Sequence, residues 1–298
     1  MSSFKSLYFK LITDNFNIFD TLIVQNLCDS FKGYKEVEII NQIYNKFNRL
    51  SQDLYNTGRI ENALGRDVMA SFDVRTAKTH ARRIKFHEHG NEHECESSDL
   101  CFIVDYVLYK PDRKLLLSRT ITFIQVKLGE SNGCWRLQKN QLYFMRYWPP
   151  FFYGQQRYHL DVFGAYPDIG SFYHFIYKNK SFSDTVVMSG RYKKRYEVNS
   201  FALSTPMIEY ALRQPIAPGS SDSVIYDRPL NMLRNGRGCA YFLWRILLQD
   251  LGLHSIDAEE FIKRLYPGLF DIDPEEDQKA EEEPSVGIRV TVSLKVVG

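Results

Sequence analysis

The sequence predicts an α/β protein in which helices flank a central mixed β-sheet. Three observations indicate this class: apolar residues at helical spacing in the first fifth of the chain, strand-like composition over residues 81–127, and a helical segment directly after it. Of the 298 residues, 44% are hydrophobic and 25% are charged, which is an ordinary globular composition. We therefore expect one large domain or two modest ones.

The N-terminal part of the chain predicts two helices. In residues 36–55 the apolar side chains recur every three or four positions: Val37, Ile40, Ile43, Tyr44, Phe47, Leu50 and Leu54. After a break at Asn56-Thr57-Gly58, residues 59–72 predict a second helix with Ile60, Leu64, Val68 and Phe72 on its apolar side. We expect residues 1–57 to form a helical segment that packs on the core.

The middle of the chain predicts strands. Residues 81–89, 99–109 and 115–127 are rich in Ile, Val, Phe and Tyr, and turn residues at 90–91 and 110–113 separate them. These features predict a three-stranded antiparallel meander.

The remaining core elements follow the meander. A helix is predicted from about Trp135 to Tyr147, where Pro149-Pro150 ends it, and residues 171–179 predict another buried strand. Residues 58–180 are therefore expected to form the core.

The C-terminal part is divided into an accessory region and a tail. Within residues 181–270, the segments 239–253 and 257–266 predict helices, the second capped by Asp257. Residues 271–298 predict an acidic linker followed by an alternating terminal strand.

Polar residues stand at the ends of two apolar strands. If the hairpin between these strands is centred on Asp112, Asp99 lies opposite Gln125, and Asp105 lies opposite Arg119. Lys127, two positions after Gln125, projects from the same face. A register slip of two residues preserves this arrangement, whereas a slip of one places Asp99 and Gln125 on opposite faces.

These residue types suit phosphodiester hydrolysis. Mg²⁺ takes oxygen ligands from carboxylates, amide carbonyls and backbone carbonyls, and a lysine can position water or neutralise the transition state. The competing interpretation is that polar residues simply end strands, although a buried Gln needs hydrogen-bond partners for its amide.

The pattern Ser98-Asp99, then a strand, then Gln125-Val126-Lys127 resembles the PD-(D/E)xK nuclease superfamily, in the Gln-x-Lys form of Mrr-type restriction endonucleases. The resemblance covers residues 58–150. It implies a restriction-endonuclease-like core, a Mg²⁺ or Mn²⁺ cofactor, Asp99, Gln125 and the Val126 backbone as metal ligands, and Lys127 as the catalytic lysine.

The resemblance also implies an acid from a helix ahead of the sheet, and Glu61 is our candidate for this catalytic and metal-binding role. The sequence departs from the family pattern at two positions. Ser98 replaces the proline of the motif, and Gln125 replaces an acid, which removes one negative charge. The second change either weakens metal binding or requires a further acid, for which Glu61, Glu94 and Glu96 are available.

The resemblance implies a metal-dependent endonuclease that cleaves nucleic acid, DNA in preference to RNA, with a role as a restriction or antiviral defence effector. A homo-oligomer or an activating partner protein is compatible with this function. Two alternatives stay open: a nuclease-fold protein without catalysis that binds nucleic acid or regulates, and a protein-interaction module.

Two basic segments are candidates for nucleic-acid binding. Arg82 and Arg83 precede the predicted sheet, and residues 191–197 interleave basic and aromatic side chains (Arg191, Lys193, Lys194 and Arg195). A solvated edge strand guarded by lysines would look similar.

A zinc site at residues 86–96 is the weaker interpretation of a histidine-rich hairpin. With a turn at Gly90-Asn91, His87 and His89 lie on one face while His93 and Cys95 lie on the other, which is poor for tetrahedral coordination. In the helix after the sheet, Gln141 faces either the site or solvent.

The overall composition predicts a cytoplasmic protein with no membrane contact. No run of about 18 apolar residues is present. The cysteines are odd in number and scattered, which favours reduced thiols: Cys28, Cys95, Cys101, Cys134 and Cys239.

Overall fold

The computed structural model describes residues 2–15, 35–57, 59–61, 63–65, 68–80, 83–128, 134–176, 185–189, 223–227, 243, 245–270 and 284–296. The helices are α1 (Ser2–Asp14), α2 (Glu36–Thr57), α3 (Lys139–Tyr147), α4 (Asp161–Ala165), α5 (Pro167–Gly170) and α6 (Ile256–Leu265), with 3₁₀ turns at Ala63–Gly65 and Pro267–Leu269. Among the described helices, none has the length and apolar character that a bilayer crossing requires.

The strands are β1 (Arg59–Ile60), β2 (Val68–His80), β3 (Arg83–Glu88), β4 (Asn91–Glu96), β5 (Leu100–Tyr109), β6 (Lys114–Leu128), β7 (Cys134–Gln138), β8 (Phe151–Tyr153), β9 (Gln156–Tyr158), β10 (Ser171–Ile176), β11 (Thr185–Ser189), β12 (Ser223–Asp227) and β13 (Pro284–Val296).

A mixed seven-stranded sheet forms the centre of the molecule, with strand order β1-β2-β13-β5-β6-β10-β11. The neighbours β13 and β5 are parallel, as are β6 and β10, and the other pairs are antiparallel. The predicted class, a mixed sheet flanked by helices, is confirmed. The terminal strand is also confirmed, and it lies between β2 and β5.

Each face of this sheet carries its own hydrophobic core. On one side, Phe102 and Val104 of β5 pack with Ile43 and Phe47 of α2. On the other side, residues of β5 and β6 that alternate with these pack with Phe144 of α3 and with α6. Burying one such side chain contributes about 1.5–3 kcal/mol to the stability of the fold, so the buried side chains hold each helical layer against the sheet.

The predicted helix over residues 59–72 is wrong. Residues 59–60 form β1, and β2 begins at Val68. In β2 the buried residues Ala70, Phe72 and Val74 alternate with the less buried Ser71 and with the exposed Asp73, which is the two-residue period of a strand. The helical spacing of Ile60, Leu64, Val68 and Phe72 is therefore coincidental.

The predicted meander is correct for β5 and β6, which pair antiparallel, and wrong for its first strand. Strand β3 pairs instead with β4 and β8 in a separate four-stranded sheet, of order β4-β3-β8-β9. The β3–β4 hairpin turns at His89-Gly90, where both residues have positive φ, one position earlier than predicted.

The remaining helices differ from prediction mainly at their ends. Helix α3 starts at Lys139, because residues 134–138 form β7 and pair with β12. Helix α6 is capped by Ser255, whose hydroxyl accepts a hydrogen bond from the Ala258 amide at 3.1 Å, and not by Asp257. In the segment 239–253, residues 245–247 are helical.

Candidate functional site

Asp99 stands at the start of β5, next to the end of β6. Its backbone amide donates to the Ile124 carbonyl at 3.1 Å, and Leu100 pairs with Ile124. This register places Asp99 opposite Gln125, as the hairpin geometry predicts.

The register depends on a compensation between the turn and a bulge. Tyr109 pairs with Lys114, so the turn is centred half a residue before Asp112. A bulge at Leu117, between the pairs Tyr106–Ser118 and Val107–Leu116, restores the offset. Without this bulge, Asp99 and Gln125 would fall on opposite faces.

Asp99 is bound by two neutral donors. Its Oδ2 accepts hydrogen bonds from the Gln125 side-chain amide and, at 2.6 Å, from the Val126 backbone amide. Asp99 is 1% exposed and Gln125 is fully buried. Burial raises the pKa of Asp99 well above its ordinary value; nearby Glu36 and Glu96 add to this, while Lys127 and the Val126 amide oppose it.

Gln125 keeps one buried atom available. Its Nε2 donates to Asp99, whereas its Oε1 has no hydrogen-bond partner among the described residues. An unpaired buried carbonyl costs free energy unless something else satisfies it. Hard cations such as Mg²⁺ take amide oxygens and carboxylates as ligands, and here the two lie side by side.

Lys127 extends the site toward helix α2. Its Nζ donates to Glu36 Oε1 at 2.9 Å, and the Leu128 amide donates to Glu36 Oε2 at 3.4 Å. Burial lowers the pKa of Lys127, but Asp99, Glu36 and Glu96 more than offset this, so the net shift is upward. Lys127 is therefore positively charged at neutral pH.

Helix α2 is oriented so that its first residue reaches the site. The Lys35 amide donates to Glu38 Oε2 at 2.7 Å, which is half of a capping box and fixes the helix start. Glu36, next to this cap, is consequently held beside the end of β6.

Glu36, and not Glu61, is the helix-borne acid near the Asp99 end of the sheet. Glu61 is exposed in the turn after β1, and Ile60 pairs with Ala70. Ala70 pairs with Leu294 of β13, and Leu294 pairs with Leu108 of β5. The turn that holds Glu61 is therefore level with the end of β5 that lies far from Asp99. At about 3.3 Å per residue, Glu61 lies roughly 30 Å from Asp99 along the strand direction.

The sequence contained the signal for Glu36. It opens the helix that residues 36–55 predict. The incorrect prediction of a helix over residues 59–72 places Glu61, and not Glu36, on the last helix before the sheet. Once residue 68 is recognised as the start of a strand, α2 becomes the last helix before the sheet.

Of the other predicted residues, the structure describes Arg83 and Gln141. Arg83 is exposed at the start of β3, opposite Glu96. The predicted nucleic-acid contacts Arg82, Arg191, Lys193, Lys194 and Arg195 lie outside the described residues. Gln141 in α3 is buried, and its Oε1 has no partner within the described chain.

The histidine hairpin separates its ligands as the sequence predicts. His93 and Cys95 of β4 face inward and are buried, whereas His87 and His89 are exposed. Across the described ranges, no group of three or more His, Cys, Asp or Glu side chains is placed to hold a metal ion. Beside Asp99, the Gln125 amide oxygen is a further oxygen ligand within reach of a cation.

Comparison with protein-family models, with curated proteins and with solved structures finds no match.

Proposed function

We propose that the chain is a divalent-metal-dependent nuclease with a restriction-endonuclease-like core, acting on DNA in preference to RNA, as a restriction or defence effector. The observation that carries the proposal is the meeting of Asp99, Gln125 and Lys127 at one end of the sheet, with a helix-borne Glu36 against the lysine.

The order of elements supports this proposal. A helix that supplies an acid, α2, precedes the sheet, and α3 follows the strand that carries Lys127. Both features belong to the layout that the resemblance implies. The position of β13 between β2 and β5 is an elaboration of that layout.

The donor set fits a small hard cation. Asp99 supplies a carboxylate and Glu36 a second one beside Lys127. Gln125 supplies an amide oxygen that has no hydrogen-bond partner in the part of the chain that the structure describes. A bound Mg²⁺ or Mn²⁺ would stabilise charge on a phosphate and acidify its water.

Lys127 contributes charge in this mechanism. Because its pKa is raised, it keeps its proton at neutral pH and is a poor general base. It can instead stabilise the negative charge that develops on a phosphate undergoing attack. Glu36 holds the lysine in position until substrate competes for it.

One observation favours the alternative, a nuclease-fold protein that binds nucleic acid without cutting it. Asp99 Oδ2 already accepts hydrogen bonds from the Gln125 side chain and the Val126 amide, so a cation would have to compete with both for this oxygen. Dependence on divalent metal separates the two functions.

The test is a cleavage assay on supercoiled plasmid, linear duplex, single-stranded DNA and RNA, each with Mg²⁺, Mn²⁺ or EDTA. Asp99→Asn and Lys127→Met are compared with the exposed controls Asp112→Asn and Lys10→Met. We expect metal-dependent cutting that falls about a hundredfold or more in the first pair and is unchanged in the second. Binding without cutting would support the alternative, and cutting that survives both site variants would refute the proposed site.

A further inference from the structure

We propose a second nucleic-acid contact surface: a groove on the central sheet that binds the phosphodiester backbone. The basic groove, as we call it, is a cavity of about 1420 Å³ between the far ends of β2, β13, β5 and β6. Eight Lys or Arg side chains line it, against two carboxylates. The whole chain has a net charge of only +2, so this excess is local.

The floor of the groove is low and rich in hydroxyl groups. Ser71 of β2 pairs with Ser293 of β13, and the neighbouring pair on the same face is Asp73 with Thr291. These short side chains leave room above the sheet, and their hydroxyl groups are among those that contact phosphate oxygens.

Half of the basic side chains are paired with carboxylates within the protein. Arg119 and Arg289 both bind the buried Asp105, Lys263 lies 2.6 Å from Glu259, and Arg75 lies 3.3 Å from Asp73. Arg119, Arg289 and Lys263 form one cluster with Asp105 and Glu259, whereas the Arg75–Asp73 pair is exposed.

The other half are available to a ligand. Among the residues that the structure describes, no carboxylate pairs with Arg59, Lys110, Lys114 or Lys295. Lys295 is level with Tyr109, which pairs with Lys114, so these two lysines flank one end of the groove. Arg59, opposite Ser71, borders its side.

The dimensions favour a polymer over a small molecule. Arg289 and Lys295 are six residues apart on β13, which is roughly 20 Å. A typical small-molecule pocket holds about 300–1,000 Å³, less than this groove. Duplex DNA carries one charge per about 1.7 Å of axis, so several phosphates can face a groove of this length.

The basic groove is distinct from the Asp99 site. Ser285 of β13 lies beside Asp99, so the groove extends from about 13 Å to about 33 Å away along the strands. Between them, Tyr266 and Leu269 pack on Gly287 so closely that a Cβ there would lie within 3 Å of both. Because the two places are separate, the groove can bind a duplex whether or not the Asp99 site cleaves it.

The test is fluorescence anisotropy with a labelled 30-base-pair duplex in EDTA, over a series of salt concentrations. The groove variant combines Arg59→Gln, Lys114→Gln and Lys295→Gln. The control combines Lys10→Gln, Arg49→Gln and Arg157→Gln, which are exposed elsewhere and make the same change in charge. Thermal unfolding by circular dichroism verifies that both fold.

We expect the groove variant to bind at least tenfold more weakly at 100 mM salt. Each lost phosphate contact changes the slope of log K against log salt by about 0.9, so the slope should become less negative by roughly 2–3. The control should bind like the wild type. Equal losses in both triple variants, no loss in the groove variant, or displacement of the duplex by polyglutamate as readily as by unlabelled duplex would each overturn the proposal.

This outcome is independent of the nuclease test. Wild-type protein that binds duplex through the groove but cuts nothing with Mg²⁺ would remove the proposed catalysis and leave the groove. Metal-dependent cutting by a protein whose groove variant binds normally would do the reverse.

Discussion

Two buried aspartates, Asp99 directly before β5 and Asp105 within it, lie in different electrostatic environments. Asp105 accepts two hydrogen bonds from Arg119, at 2.7 and 2.8 Å, and two from Arg289, at 2.9 and 2.7 Å. Asp99 receives its two hydrogen bonds from neutral amides. Both carboxyls are almost fully buried, so burial alone does not distinguish them.

The difference separates a structural charge from a candidate functional one. Asp105 is paired with two arginines inside the protein, and its removal would take a carboxylate away from both of them. Burial raises the pKa of Asp99, and Lys127 and the Val126 amide do not offset it, which leaves Asp99 better suited to an added cation.

The largest expected effect is on stability at Asp105. Asp105→Asn leaves Arg289 facing a neutral amide and Arg119 with Glu259 as its carboxylate, and we expect the free energy of unfolding to fall by about 3–5 kcal/mol. Urea denaturation measures this, with the exposed Asp112→Asn as a control expected to stay within about 0.5 kcal/mol. A loss below about 1 kcal/mol at Asp105 would remove the contrast between the two aspartates.

The second effect is on the pH dependence of stability at Asp99. Its pKa is raised in the folded protein above 3.8, so the folded state binds more protons than the unfolded state above that pH. Stability should therefore decrease as pH rises through this window, by up to about 1.4 kcal/mol per pH unit.

Asp99→Asn removes this titration and should flatten the dependence in metal-free buffer. Urea denaturation at half-unit steps from pH 4.5 to 8 measures it in both proteins. Parallel curves for wild type and variant would show that Asp99 ionises as readily in the folded state as in the unfolded one.

The third effect has the opposite sign and belongs to the Asp105 cluster. Although partial burial opposes ionisation, hydrogen bonds from Lys263 and His254 and the charge of Arg119 lower the pKa of Glu259 from 4.5 to about 2. Its ionised form thus stabilises the fold above pH 4.5, and this contribution is lost as pH falls toward 2.

Glu259→Gln should lower the free energy of unfolding at pH 7 by roughly 1–2 kcal/mol, a range that allows for solvent screening of this partly exposed group. The difference from wild type should shrink as pH falls below 4.5. A difference that stays constant down to pH 2.5 would mean that Glu259 acts through packing and not through its charge.

The sequence predicts the Asp99 site better than its surroundings. Strand alternation and the hairpin were enough to place Asp99 beside Gln125, although the prediction succeeded because the bulge at Leu117 offsets an error in the turn. The alternation of residues in β5 and β6 does not predict such a bulge. Glu36 is missed by the sequence prediction because the apolar residues of β1, the 3₁₀ turn and the start of β2 happen to fall at helical spacing over residues 59–72.

The basic groove could not have been predicted by reading along the chain. Its residues come from strands separated by up to about 230 positions, and they meet only because β13 inserts between β2 and β5. Alternation predicts which face of a strand a residue occupies, but not which strand lies beside it. The predicted basic segments instead reflect clusters of Lys and Arg that are consecutive in the sequence.

The smallest expected effects on stability are at Glu36 and Glu61, the two candidates for the acid of the site. Glu36 and Lys127 form a partly exposed ion pair, so Glu36→Gln should lower the free energy of unfolding by no more than about 1 kcal/mol. Glu61→Gln, at an exposed turn, should leave it almost unchanged.

The two substitutions should nevertheless differ in their effects on metal-dependent cutting. Glu36→Gln frees Lys127 from its carboxylate and removes a potential metal ligand, so the Mg²⁺ concentration for half-maximal cutting should rise several-fold. Glu61→Gln should leave it unchanged, because Glu61 lies at the other end of the sheet. If instead Glu61→Gln impairs cutting and Glu36→Gln does not, the resemblance would have identified the right acid and the strand register would be a poor guide to the site.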